Sequence, residues 1–300
     1  MMGDWPNSSD IEILCEKAAG FFIYASTVVK FFMSKNRTPA EQLNQIISHP
    51  LSTSHEGRSG IDSLYTQVLE EVVDNIDRGD EELYSHFTTV VGTVVLVFNP
   101  LSVKALSDLL RMSSITTTLR SLHSLLLVPT NDVSPVHIFH KSFSDFLTDP
   151  GRCIDHRFFV NPQNCHAEIS HSCLDPMKEK LKKNICELDD HIILSGVEDL
   201  ADRRKDYIGD ALEYACCFWT KHLLRIPGSG PGVKKMQEVI DKFFTTNLLL
   251  WIEVLCLVGN LDICAYALND IEQWYMLVSY IWSSHSGYSS EFRQEFPASG

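Results

Sequence analysis

The chain has 300 residues, 44% of them hydrophobic and 21% charged, with 25 Lys and Arg against 39 Asp and Glu and a formal charge of −14. That length accommodates two or three units with cores of their own. So acidic a surface repels a phosphate backbone and an anionic membrane alike, which argues against nucleic acid and against lipid as partners. The basic run Lys178, Lys180, Lys182 and Lys183 is short and is followed by Glu187, Asp189 and Asp190. Nine cysteines, odd in number and scattered, read as free thiols rather than a disulfide framework. Residues 1–6 show no basic region leading into an apolar stretch. The run Ala18 to Met33 is broken by Lys30 and falls short of the ~20 residues needed to span a bilayer. A cytoplasmic protein is expected.

Ser9 and Glu12 stand at capping-box spacing, and Ile11 to Met33 is apolar on nearly every face, which predicts a helix buried among others. Pro39 opens a short helix through Leu43, Ile46 and Ile47, and Ser52 to Gly60 reads as an exposed loop. Asp62 is placed to cap the next helix, whose apolar side is Leu64, Val68, Leu69, Val72, Val73 and Ile76, ending at Gly79-Asp80. Leu83 to Phe98 follows as a helix, although Val94 to Phe98 also fits a buried strand. Pro100 stops it, and Ser102 caps the first of two short helices, Val103–Met112 and Thr116–Ser124. Leu125–Val128 and Val136–Phe139, separated by Pro129, Asn131, Asp132 and Pro135, predict a β-hairpin, and a further helix runs from near Ser142 to before Pro150.

Downstream, Ile208, Ala211, Leu212, Ala215, Trp219, His222 and Leu223 trace one helical face. Ile226 to Gly232 is a Pro/Gly-rich connection, while Val239–Cys256 and Leu261–Leu268 look like antiparallel helices of an all-α array. The expected fold is mainly α: a helical bundle plus a winged helix with a small β-hairpin, followed by an all-α helical domain. Its expected parts are a helical segment at 1–50, the winged helix at 61–153, the helical domain at 160–282 and a disordered tail at 283–300.

Candidate chemistry is sparse. A phosphate-cradling loop needs G-x-x-x-x-G-K-[ST], and no stretch matches. Gly228 to Lys235 imitates the composition, but its lysines are misplaced, no hydroxyl follows and Pro231 removes a donor. Cys165, His166, His171 and Cys173 cluster on one helix, but only His166 and Cys173 share a face, so a single helix cannot close a tetrahedron around zinc. No local signature marks a cysteine nucleophile. Phe143, Phe146, Trp219, Trp251 and Trp274 read as core, and Glu12/Glu16 and Glu70/Glu71 as solvated helix faces. Neither a catalytic nor a metal site is expected, and the chain is expected not to be an enzyme.

The most informative stretch is Val136 to Leu147. Its pattern His140-x-Ser142-Phe143-x-Asp145-Phe146-Leu147, followed by Arg152-Cys153, resembles the winged-helix end of fungal NACHT proteins, the NLR-like branch of the STAND NTPases. Ala18 to Thr27 is similar to the family's helix just after the nucleotide core, and Asn99-Pro100-Leu101-Ser102 to the start of its winged-helix element. Asn184-Ile185-Cys186, and Tyr214-Ala215-Cys216 with Trp219 and His222-Leu223, resemble its downstream helical segment. The resemblance implies a non-catalytic regulatory region C-terminal to a nucleotide-binding core, either a truncated gene product or a short protein in its own right. In intact relatives these parts close over ADP and open on exchange for ATP, and the histidine matching His140 contacts the ADP phosphate. The implied partners are a NACHT core, in the same or another chain, and related full-length NACHT proteins.

For His140 on its own, one charge-assisted hydrogen bond contributes about 1.5–3 kcal/mol, whereas millimolar affinity needs about 4 kcal/mol. No cofactor is therefore expected on this chain itself. Two other classes stay open at this stage. One is a DNA-binding winged helix reading with Thr116–Ser124, which offers Arg120 and His123; the other is a thiol or zinc hydrolase.

Overall fold

Helical periodicity governs nearly the whole of the computed structural model, which describes residues 6–33, 38–48, 58–73, 81–189, 193–230 and 232–285. The chain divides into two units, Met1–Cys165 and His166–Gly300. The first opens with α1 (Ser8–Ala18), α2 (Phe22–Phe32), α3 (Pro39–Ser48) and α4 (Arg58–Val73). The single buried helix expected over Ile11–Met33 is instead two. Ala19 and Gly20 take the left-handed region, at φ 46° and 81°, and the Ala19 N–H closes α1 on the carbonyls of Cys15 and Glu16. Gly20 lets the chain turn back at little steric cost, so a run of apolar residues need not be one rod. Among its described residues α1 buries only Lys17, and Ile11 is exposed. Its cap is also not Ser9: the Asn7 side chain accepts from the Asp10 N–H at 2.8 Å.

Each of the next helices is anchored at an end. Thr38 and Glu41 cap α3 reciprocally, with Pro39 at its first position. Near the other end the Lys17 ammonium donates to the Ile46 carbonyl at 2.5 Å, supplying a donor to the last turn. Burial lowers the Lys17 pKa. Helix α4 starts at Arg58, so Asp62 lies within it and does not cap it. Its inward side carries Leu64, Val68, Leu69 and Val73; Glu71, expected on a solvated face, is buried at 4% exposure. Residues 52–57 of the expected loop, and Ile76, Gly79 and Asp80, lie outside the described residues. Helix α2 packs on α4, and α1 touches α2, α3 and α4.

Helix α5 (Glu81–Leu96) carries Val94 as helix, not strand. The Ser102 hydroxyl accepts from the Ala105 N–H at 3.1 Å and starts α6 (Val103–Leu110), and α7 (Ile115–Ser121) follows. Strands β1 (Leu126–Leu127) and β2 (His137–Ile138) pair antiparallel, Leu126 opposite Ile138 and Leu127 opposite His137. A bridge between Ser102 and Pro135 brings a third extended segment alongside. Helix, bridge, two helices and hairpin form the element order of a winged helix. Helix α8 (Lys141–Thr148) follows directly.

The second unit is reached within α9 (Pro162–Lys180), whose Pro176 withdraws one N–H from the helical ladder. A 3₁₀ turn at Leu194–Gly196 precedes α10 (Leu200–Arg203), a π turn at Arg204–Ile208 and α11 (Gly209–Leu223). Then come α12 (Val233–Thr246), α13 (Leu248–Leu257) and α14 (Asp262–His285). The face read from Ile208 to Leu223 is buried throughout. The expected Val239–Cys256 helix divides at Asn247, whose N–H bonds the Phe243 carbonyl while its own carbonyl accepts from Trp251.

Helix α14 runs far beyond the expected Leu261–Leu268. Its stripe Ala267, Ile271, Trp274 and Val278 is buried, although Asn269, Asp270, Glu272 and Gln273 interrupt the apolar pattern along the chain. The polar tail expected from Ser283 is thus helical to His285, and residues 286–300 lie outside the described residues. Gly228, in the stretch that mimics a phosphate loop, is a packing glycine: a Cβ there would meet Leu277 and Ile281 at 2.9 Å. Among the described residues no helix is long and apolar enough to cross a membrane.

Candidate functional site

The segment with the strongest sequence signal forms a clasp between α4 and α8. His140 is the N-cap of α8, extended at φ −153° and ψ 137°, and its Nδ1 accepts from the Ser142 N–H at 3.1 Å. The Ser142 hydroxyl lies 2.8 Å from the same nitrogen and 2.7 Å from the Tyr65 hydroxyl of α4. One proton order satisfies all three contacts. Tyr65 donates to Ser142, Ser142 donates to Nδ1, and the neutral imidazole carries its proton on Nε2. Tyr65 is 1% exposed, and burial raises its pKa, with the bond to Ser142 acting in the opposite sense.

Around this chain the motif's remaining residues each have a contact. Phe143 and Phe146, both 1% exposed, set their rings 5.3 and 5.4 Å from that of Tyr65. Arg152 grips Asp62 with two hydrogen bonds, Nε to Oδ2 at 3.1 Å and a terminal nitrogen to Oδ1 at 2.5 Å. Their side chains are only 22% and 17% exposed, and the bond to Asp62 raises the Arg152 pKa. Lys141 and Asp145 pair across one exposed turn. Cys153 is buried, and burial pushes its thiol up to about 12, which leaves it unreactive. Just before His140, the Lys30 ammonium of α2 stands 2.9 Å from the Phe139 ring centroid. His140 is itself exposed, with Nε2–H as its remaining donor.

On α9 the four Cys and His residues weighed as zinc ligands take different places. Cys165 and Cys173 are buried, His171 is half-buried, and burial raises the Cys173 thiol. Among the described residues no group of three or more His, Cys, Asp or Glu side chains is arranged to hold a metal ion. His166, the fourth member, enters a cluster that sequence reasoning missed. Its Nδ1 lies 2.8 Å from Nδ1 of His222 on α11, and His222 Nε2 lies 2.8 Å from the Tyr214 hydroxyl. All three side chains are buried. Burial holds His166 down at about 4 and His222 at about 3; repulsion from Arg225 adds to both, and His166 adds to the shift of its partner. A signal existed: His222 fell on the apolar face of the α11 pattern, where a polar ring needs a partner.

Compared with known proteins, the chain matches no family model, no curated protein and no solved structure.

Proposed function

We propose that the chain is a non-catalytic regulatory and interaction region of a NACHT-type STAND NTPase, cytoplasmic, acting by packing against a nucleotide-binding core. The observation that carries this reading is the clasp. Among the residues that resemble the family motif, Ser142, Phe143 and Phe146 of α8 and Arg152 beyond it contact α4, and His140 caps α8 through Ser142, at the end of a winged-helix element order. Two features of the clasp matter for a nucleotide. Its hydrogen-bond order fixes the His140 tautomer with Nε2–H outward of the cap, a donor suited to a phosphate oxygen. The capping bond also holds the ring in one orientation, which lowers the entropy cost of recognition. ADP and ATP are ligands of the intact architecture, with the core supplying the amides, ammonium and magnesium ligand that this sequence lacks.

Isothermal titration tests the reading. ADP added to the purified chain gives no binding in the micromolar range, since a single donor contributes less than about 3 kcal/mol. Clear micromolar affinity, or nucleotide turnover by pure protein, refutes it.

A further inference from the structure

Helix α14 carries two apolar stripes, of which the fold uses one. Ala267, Ile271, Trp274 and Val278 recur at intervals of three and four, so they share a face, and that face is buried. Leu261, just before the helix, begins a second series at the same intervals: Ala265, Leu268, Glu272 and Met276, roughly a third of a turn away. All five are exposed, and their row runs along the helix for about 22 Å. Met276 is 63% exposed, and Tyr266, beside the row, 68%. Solitary exposed apolar side chains are ordinary, whereas a row of them along one helix marks a contact surface.

The charge around this row is of one sign. From Phe243 to Ser284 the chain has no Lys, Arg or His, but it has Glu253, Asp262, Asp270 and Glu272. Two of these carboxylates serve the fold: Asp270 accepts from the Thr220 hydroxyl at 3.2 Å, and Glu253 from the Ile185 N–H at 3.1 Å. Asp262 and Glu272 are exposed, and Glu272 stands within the outward row, between Leu268 and Met276. We infer that the outward face of α14 is a docking surface for a basic, amphipathic helix of a partner protein.

A helix suits the row because its own side chains, three and four apart, repeat at the same pitch. An extended strand laid there finds no free backbone groups to pair with, since those of α14 are used within the helix. Lysines or arginines beside the partner's apolar row meet Asp262 and Glu272, and they speed encounter with so acidic a chain. A second copy of this protein brings the same cation-free face, which sets like charges together, and an anionic lipid surface is repelled in the same way. Met276, unbranched and polarizable, adapts to apolar partners of different shape.

Fluorescence anisotropy with the full chain tests this. The probe is a fluorescein-labelled peptide of leucine and lysine, about four turns long, with its leucines on one helical face. Saturable binding is expected, weakening as salt rises. Leu268→Gln combined with Met276→Gln leaves the net charge unchanged and alters positions that the fold does not bury. Its circular dichroism matches wild type while its affinity falls at least about tenfold. Glu272→Lys alone also weakens binding, because a cation then faces the peptide's lysines. Leu127→Gln, at an exposed leucine of β1, keeps wild-type affinity and so separates docking from general attraction to an acidic surface. A peptide of the same pattern with glutamate for lysine does not bind. Absence of binding, equal affinity in the double variant, or equal binding of the glutamate peptide would each overturn the proposal. So would sedimentation showing a wild-type dimer that the double variant dissolves, since a second copy would then be the occupant.

Discussion

Asp62 and Arg152 show how far a residue's role depends on where its helix begins. Read as a sequence, Asp62 is a cap; with α4 starting at Arg58 it is a partly buried anion that needs a cation, and Arg152 arrives from beyond α8 to supply it. The pair is mostly buried, bidentate and hydrogen-bonded, so removing one partner leaves the other's charge desolvated. Arg152→Ala is expected to lower the unfolding free energy by about 2 kcal/mol, between the value of an exposed pair and that of a fully buried one. Arg152→Lys recovers only part of this, because an ammonium cannot fork onto both carboxylate oxygens. Urea denaturation of the two variants checks the order; equal stability of Arg152→Ala and wild type would show that the pair contributes nothing. Within the clasp itself, the pattern around His140 was legible as important, but its contacts were not. Tyr65 lies 77 positions from Ser142, and no local spacing rule links a helix interior to a distant cap.

At the scale of elements, α11 and α13 meet through aromatic packing and a polar tie. Trp219 and Trp251 are both 0% exposed, their rings 6.0 Å apart and near-perpendicular. Trp251 Nε1 donates to the Cys216 carbonyl at 2.8 Å, whereas Trp219 Nε1 has no partner among the described residues. Both changes to phenylalanine lose similar volume, but only Trp251→Phe also removes a hydrogen bond. It should therefore cost about 1 kcal/mol more than Trp219→Phe, measured by circular dichroism in a urea titration. A reversed order would mean that shape, not the bond, dominates there. Helix type was readable where one face stays apolar, as from Ile208 to Leu223. Boundaries were not: Ala19, Asn247 and the polar middle of α14 each set local geometry that a count of apolar positions averages away. The hairpin was legible from its turn residues, whereas the bridge from Ser102 to Pro135 joins partners 33 positions apart and carries no local signature.

For the molecule as a whole, charge outweighs the resemblance of one element order to DNA-binding modules. Helix α7, the third helix of the winged-helix order, offers only Arg120 as a cation within its span, and the chain as a whole carries −14. Duplex DNA is expected to show no salt-dependent shift in fluorescence anisotropy at micromolar protein, since affinity rests on released counterions. A shift that weakens as salt rises would favour DNA binding instead. A different consequence attaches to the hairpin's connection. Asn131 accepts from the Val133 and Ser134 amides, Asp132 from the Lys104 amide, and Val136 donates to Leu101. Although rich in turn residues and exposed, this stretch is stitched to the start of α6. An epitope tag spliced there would undo the stitching, so it belongs at an untethered site instead.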